Sequence, residues 1–227
     1  MLHIQHWFRR GLIYLIGLFL MAFGVSVSKV SDLGVSPVNS IPCVVSEISG
    51  IDMGLCTTGV FIFFIFIQLL ILRRDFKTVY LLQIICSMIF GMFVSITNQI
   101  AGIFLPACTN YAMSILYIGI SIILVALGIL LYLEADILSL PGEGVMQAVS
   151  GKAGIPVSSS KMIFDWTVVI IAAALSLIFL EQLTGVREGT VISAFGVGIC
   201  LKFLNKYCLK PVQVFLKCPQ TMEGVNP

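Results

Sequence analysis

Residues 32–49, DLGVSPVNSIPCVVSEIS, return in altered form at residues 136–153, DILSLPGEGVMQAVSGKA, a shift of 104 positions. Asp32 falls on Asp136, Pro37 on Pro141, Val45 on Val149 and Ser46 on Ser150. The agreement runs outward. Leu20, Ala22 and Gly24 meet Leu124, Ala126 and Gly128, and Gly50 and Ile51 meet Gly154 and Ile155. Nine identities in the 32 positions from 20 to 51 exceed what composition supplies. One unit is therefore read as used twice, and an internal repeat constrains the fold before local propensity does.

Each copy sits between long apolar runs. Charged residues make up 11% of the chain and hydrophobic ones 59%, with a mean hydropathy of +1.07. A soluble domain is about 25% charged, so this chain cannot cover a globule with polar surface and lipid is its solvent. Runs at 11–30, 55–72, 78–105, 112–133 and 162–180, with a shorter one at 190–204, give six expected spans. A bilayer requires about 20 residues per helix. The repeated segments are too short and too polar to cross. The run after Arg9 and Arg10 outlasts the roughly 7–15-residue core of a signal peptide, so it is expected to stay as the first span.

The expected fold is an all-α polytopic membrane protein, two three-span repeats each carrying a short re-entrant or broken helix. Residues 1–10 form a cytoplasmic tail, 11–105 the first membrane repeat, 112–204 the second, and 205–227 a cytoplasmic tail. Lys206, Lys210 and Lys217 around Val212, Val214, Phe215 and Leu216 give that last tail the pattern of a surface-lying amphipathic piece. With both termini cytoplasmic, eleven basic residues fall inside and only Lys29 and Arg187 outside, as the positive-inside rule requires. The bias holds only if each repeated segment leaves and re-enters on one side. Three spans per copy then make the two halves inverted. Gly/Pro-interrupted segments at matching places of inverted halves point to a transporter's binding site.

Ser36 before Pro37, and Leu140 before Pro141, read as helix starts. Helices at about 37–49 and 141–150 would each span half a bilayer. Which end lies deep is left open. N-termini at depth would offer free amides and partial positive charge to a small anionic or zwitterionic solute. Asn39 and Glu143 hold equivalent positions, the third of each helix. A carboxylate there reads either as a cap or as a proton or cation site. The candidate binding set is Asn39, Glu143, Ser36, Ser40, Asp32, Asp136, Gly142, Gly144, Arg187 and Glu188. For Asp32 and Asp136 the plainer reading is a turn. For Arg187 and Glu188 it is interface charge, with a substrate contact at the outer mouth as the sharper one. Lys161 and Asp165 read as a local helix pair.

A-x-G in the first span, SDLGVSPVNSIP, its echo ADILSLPGEG, and VREGTVISAFGVG opening the last span together resemble the YczE/YyaS/YitT group of bacterial integral membrane proteins. The likeness covers roughly residues 11–204. It implies an inner-membrane protein and supplies no substrate and no functional residues.

Other classes fit poorly. A net charge of +2 gives no footing for nucleic acid. The seven cysteines form no CxxC or Cys/His cluster, and His3 and His6 lie in the tail, so neither a metal nor another cofactor is expected. No Ser/His/Asp set, HExxH or nucleotide-binding glycine loop occurs, so no enzyme is expected. The leading expectation is a secondary transporter of a small polar solute in the cell membrane. A membrane scaffold or regulator binding a protein partner is the alternative, and a channel the third. A small-molecule or ion substrate and the lipid bilayer are the expected partners, and a homodimer is compatible with the size.

Overall fold

A computed structural model describes residues 2–216 as eight α-helices, with no strand among them. Assignments made above to the side chains of His3, His6, Lys210, Val214, Phe215 and Leu216, and to Lys217, fall outside the described residues. The helices are α1 (Leu2–Val30), α2 (Pro37–Ser49), α3 (Met53–Leu72), α4 (Gln83–Phe104), α5 (Tyr111–Ala135), α6 (Pro141–Ala153), α7 (Val157–Leu180) and α8 (Glu188–Leu216). Five segments, Trp7–Val30, Met53–Asp75, Thr78–Phe104, Tyr111–Ala135 and Val157–Leu180, are long and apolar enough to cross a membrane.

Four boundaries differ from the sequence reading. The expected tail at 1–10 is helical from Leu2. No proline interrupts it, and Arg10 anchors it by donating from Nε to the Ala135 carbonyl at 2.8 Å. The third run opens as a 3-10 turn, Thr78–Leu82, before α4 begins. α7 starts five residues early, behind Pro156 at its N-cap, and so takes in Lys161 as well as Asp165. α8 runs on past Asn205, where a separate tail was expected.

The short helices share their design. α2 and α6 are 13 residues each, about 20 Å long at 1.5 Å per residue, against a hydrocarbon core of about 30 Å. Each starts on proline, whose fixed φ and missing N–H suit the first helical position. Each stops at a left-handed glycine, Gly50 (φ 68°) or Gly154 (φ 66°). Ser46 Oγ donates to the Ile51 carbonyl at 2.6 Å, and Ser150 Oγ to that of Ile155 at 2.7 Å. The turns leading in hold Asp32 and Asp136 at φ 56° and 47°. Aspartate tolerates that conformation better than most side chains.

The most extensive seam joins α1 to α5. A Cβ on Gly128 would lie 2.6 Å from the Gly17 carbonyl oxygen and 2.7 Å from the Met21 amide. A Cβ on Gly24 would lie 2.7 Å from Val125 Cγ2. Lipid supplies no hydrophobic drive between helices, so small residues and close backbone packing carry such a seam. α4 packs on α1 and α8 on α5, while α2 packs on α7 and α6 on α3. Each short helix therefore leans on a long helix from the other half of the chain. Phe61, Phe64, Phe90 and Phe164 stack beneath them, with Phe61 and Phe90 parallel at 5.5 Å and Phe64 edge-on to Phe164 at 5.3 Å.

Ion pairs mark the far ends of the short helices. Lys29, at the end of α1, meets Glu47 of α2 at 3.0 Å. Lys152, at the end of α6, pairs with Asp75 beyond α3.

Candidate functional site

The N-termini of α2 and α6 meet. Val38 and Gly142 touch there, since a Cβ on Gly142 would lie 3.1 Å from Val38 Cγ1. The exposed ends, Ser49 and Gly50 on one helix and Lys152 to Gly154 on the other, face away from this junction. The first turn of each short helix is buried within the protein. Pro37, Asn39 and Ser40 are buried, as are Pro141, Gly142 and Gly144.

A cavity of about 320 Å³ opens at the junction, within the range of small-molecule sites. Met21, Phe61, Val125, Ile129 and Val197 make its apolar walls, and Ser36, Asn39, Glu143, Gln147, Lys161, Asp165 and Ser193 its polar points. Seven helices contribute.

Several polar groups here are buried without a partner: Asn39 Oδ1, Glu143 Oε2, Asp165 Oδ1 and Ser193 Oγ, with Tyr132 Oη behind them. Tyr132 is 1% exposed. Its hydroxyl neighbours the Glu143 carboxylate, but no hydrogen bond of ordinary geometry joins the two. An acidic side chain at mid-membrane costs about 3 kcal/mol on insertion scales. A capping role returns only about 0.3–1 kcal/mol. Capping alone does not offset a cost of that size.

Ser36 takes the N-cap position but makes no side-chain cap. Its Oγ instead accepts from Asn39 Nδ2 at 2.9 Å, which aims the Asn39 amide and leaves Oδ1 free. Leu140, capping α6, has no polar side chain to offer. Pro42 inside α2 lacks the amide that would bond the Val38 carbonyl. The junction thus offers helix-end amides as donors and side-chain oxygens as acceptors.

The expected residues divide. Ser36, Asn39, Gly142 and Glu143 line the cavity. Ser40 is buried behind it, donating to the Pro37 carbonyl at 2.7 Å. Gly144 faces away, and a Cβ there would lie 2.8 Å from Gln68 Oε1. Asp32, Asp136, Arg187 and Glu188 line neither this cavity nor the one described below. Arg187 Nη1 donates to the Asp32 carbonyl at 3.0 Å and to its Oδ2 at 3.3 Å. Arg10 pairs with Asp136 Oδ2 at 3.1 Å. Both aspartates hold turns together, the plainer reading of the two.

Sequence reasoning missed Lys161, Asp165, Ser193 and Tyr132. The helix pair expected of Lys161 and Asp165 forms, at 2.8 Å, and it also borders the cavity. Two charges early in an otherwise apolar helix were the available signal. Ser193 was legible only as one of the small residues, with Ala194, Gly196 and Gly198, that mark a close-packing helix, and Tyr132 gave no signal. Among the described residues no group of three His, Cys, Asp or Glu converges as a metal site needs.

Residues 8–206 match a family described as a family of unknown function, DUF6198. The chain is 25% identical over 195 residues to the uncharacterized membrane protein YczE of Bacillus subtilis (strain 168), an alignment covering 84% of this chain and 82% of that one. No solved structure matches. With the apolar helices, these likenesses make this a multi-pass membrane protein.

Proposed function

The chain belongs to the DUF6198 family, a YczE-like group of membrane proteins, and from that premise we propose that it is a secondary transporter of a small anionic or zwitterionic solute. The observation that carries the reading is the cavity between the two half-length helices, with Glu143 buried at the meeting of their N-termini. Discontinuous helices with their positive ends aimed at a shared site suit a solute with an anionic group. The paired orphans suit one that also donates hydrogen bonds.

In this reading the two halves are inverted copies and α8 is the sixth crossing. Support comes from the shift of 104 residues, which carries α2 onto α6 end for end. It also carries the Gly24–Val125 contact onto Gly128–Met21. The first short helix enters from the side of Lys29 and Glu47, the second from that of Asp75 and Lys152. Arg9, Arg10, Arg73, Arg74, Lys77 and Lys152 fall on the second side in this reading, and the positive-inside rule favours that side, with both termini, as cytoplasmic. We assign the chain no catalysis.

The test is a thermal-shift screen of purified protein against small anionic and zwitterionic metabolites. A ligand raises the melting temperature with its concentration over its affinity, and counterflow in proteoliposomes then follows the labelled hit. A hit whose shift is erased by Glu143→Gln supports the reading. A panel with no concentration-dependent shift contradicts it.

A further inference from the structure

The two halves differ at one place. α3 and α4 pack closely, and a Cβ on Gly54 would collide with the Gly91 carbonyl and with Ser95. Gly91 in turn lies against Thr58. Among the described residues α7 and α8 barely touch. Shifting Gly54, Thr58, Gly91 and Ser95 by 104 gives Ser158, Met162, Phe195 and Ile199. The small residues that close the first pair of helices are thus replaced by a serine and three large apolar residues in the second pair, which stands apart. All four of those larger residues line a second cavity of about 390 Å³ in the gap.

That gap is not an isolated groove. Pro37, Lys161, Asp165, Ala194 and Gly198 line both cavities, so the wall between gap and central site is common to the two. Apart from Ser158 and Lys202, the outer lining is apolar: Met162, Trp166, Val191, Phe195 and Ile199 are each exposed on the outer surface. From Ser158 to Val169 the gap follows α7 for about 17 Å at 1.5 Å per residue. Polarity therefore falls from Glu143 and Asn39, past the Lys161–Asp165 pair, to an apolar mouth facing lipid.

We propose that the substrate is an amphiphile with a zwitterionic head and an alkyl tail, reaching the site sideways between α7 and α8. This deepens the transporter reading and rests on it. The head lies at the helix junction, its carboxylate toward Lys161 and the helix-end amides, its ammonium toward Glu143 and Asp165. The tail fills the gap.

The test uses a series with a constant head, from alanine through 2-aminopentanoate to 2-aminooctanoate. Radiolabelled members are dialysed against the protein in nanodiscs, empty nanodiscs are subtracted, and affinity is referred to the free aqueous concentration. Each methylene placed in the gap is expected to tighten binding about fourfold, from about 0.8 kcal/mol per buried CH₂. Val169→Trp, which fills the gap, should halt the rise partway along the series. The combined variant Ser158→Gly, Met162→Thr, Phe195→Gly, Ile199→Ser, which gives the second pair the first pair's contacts, should do the same. Alanine binding with a flat or falling series overturns the amphiphile and leaves the central site standing. Saturable binding by no member removes both.

Discussion

Val38 and Gly142 touch where the two short helices meet, Val38 Cγ1 lying 3.1 Å from the place a Gly142 Cβ would take. A shift of 104 carries position 38 onto position 142. The contact thus joins a residue to its own counterpart in the proposed repeat. A Cβ at 142 would press on the Val38 methyl, and a larger side chain would press on α2 further.

Gly142→Leu is accordingly expected to insert and fold at a cost of about 1–3 kcal/mol, the range for overpacking. The cavity loses its floor, so ligand-induced stabilisation and counterflow should fall at least tenfold. Melting curves with and without ligand check both halves of this expectation.

Glu143→Gln keeps volume and removes a buried carboxylate whose Oε2 has no hydrogen-bond partner. The melting temperature of the free protein should hold or rise, while flux is lost. Asn39→Ala removes the amide aimed by Ser36 and should lose flux in the same way. Normal counterflow in both variants would remove these residues from the site.

Arg187→Ala breaks an exposed pair with Asp32, an interaction worth about 0–1 kcal/mol. Arg187 lies off both cavities, so ligand affinity should change less than threefold. A large loss of affinity would return Arg187 to the binding set.

How much of this was legible follows from the type of signal. Pro37, Pro141, Gly50 and Gly154 mark helix ends through backbone chemistry, which is local and readable, and α2 and α6 start at the residues those prolines mark. Asn39 and Glu143 were found because one repeat position carried polarity twice. The inward direction of the helix N-termini was not readable, since it depends on α2 packing against α7 and α6 against α3. Lys161 and Asp165 were recognised as a helix pair, but that they border the cavity depends on how α7 packs against α2 and α6. Tyr132 was hidden because a tyrosine within an apolar run looks the same whether it faces lipid or Glu143. The α7–α8 gap was hidden too, because the meaning of Phe195 appears only against Gly91 in the other half.

The α1–α5 seam gives a stability expectation with its own control. Gly128→Leu places a side chain into the backbone of α1, with Gly17 and Met21 in the way, and should lower the melting temperature severely or block folding. Gly102 has open space where a Cβ would go. Gly102→Leu should stay within about 0.5 kcal/mol of the parent. Equal effects from the two would mean that the seam is not what holds the halves together.

The central claim is that two half-crossing helices come in from opposite faces of the bilayer and meet by their N-termini. Single cysteines at positions 47 and 152, in a cysteine-free protein, test it with a membrane-impermeant thiol reagent. On intact cells the account expects label at position 47 and none at 152, and the reverse in inverted vesicles. Label at both positions from the same face would contradict it.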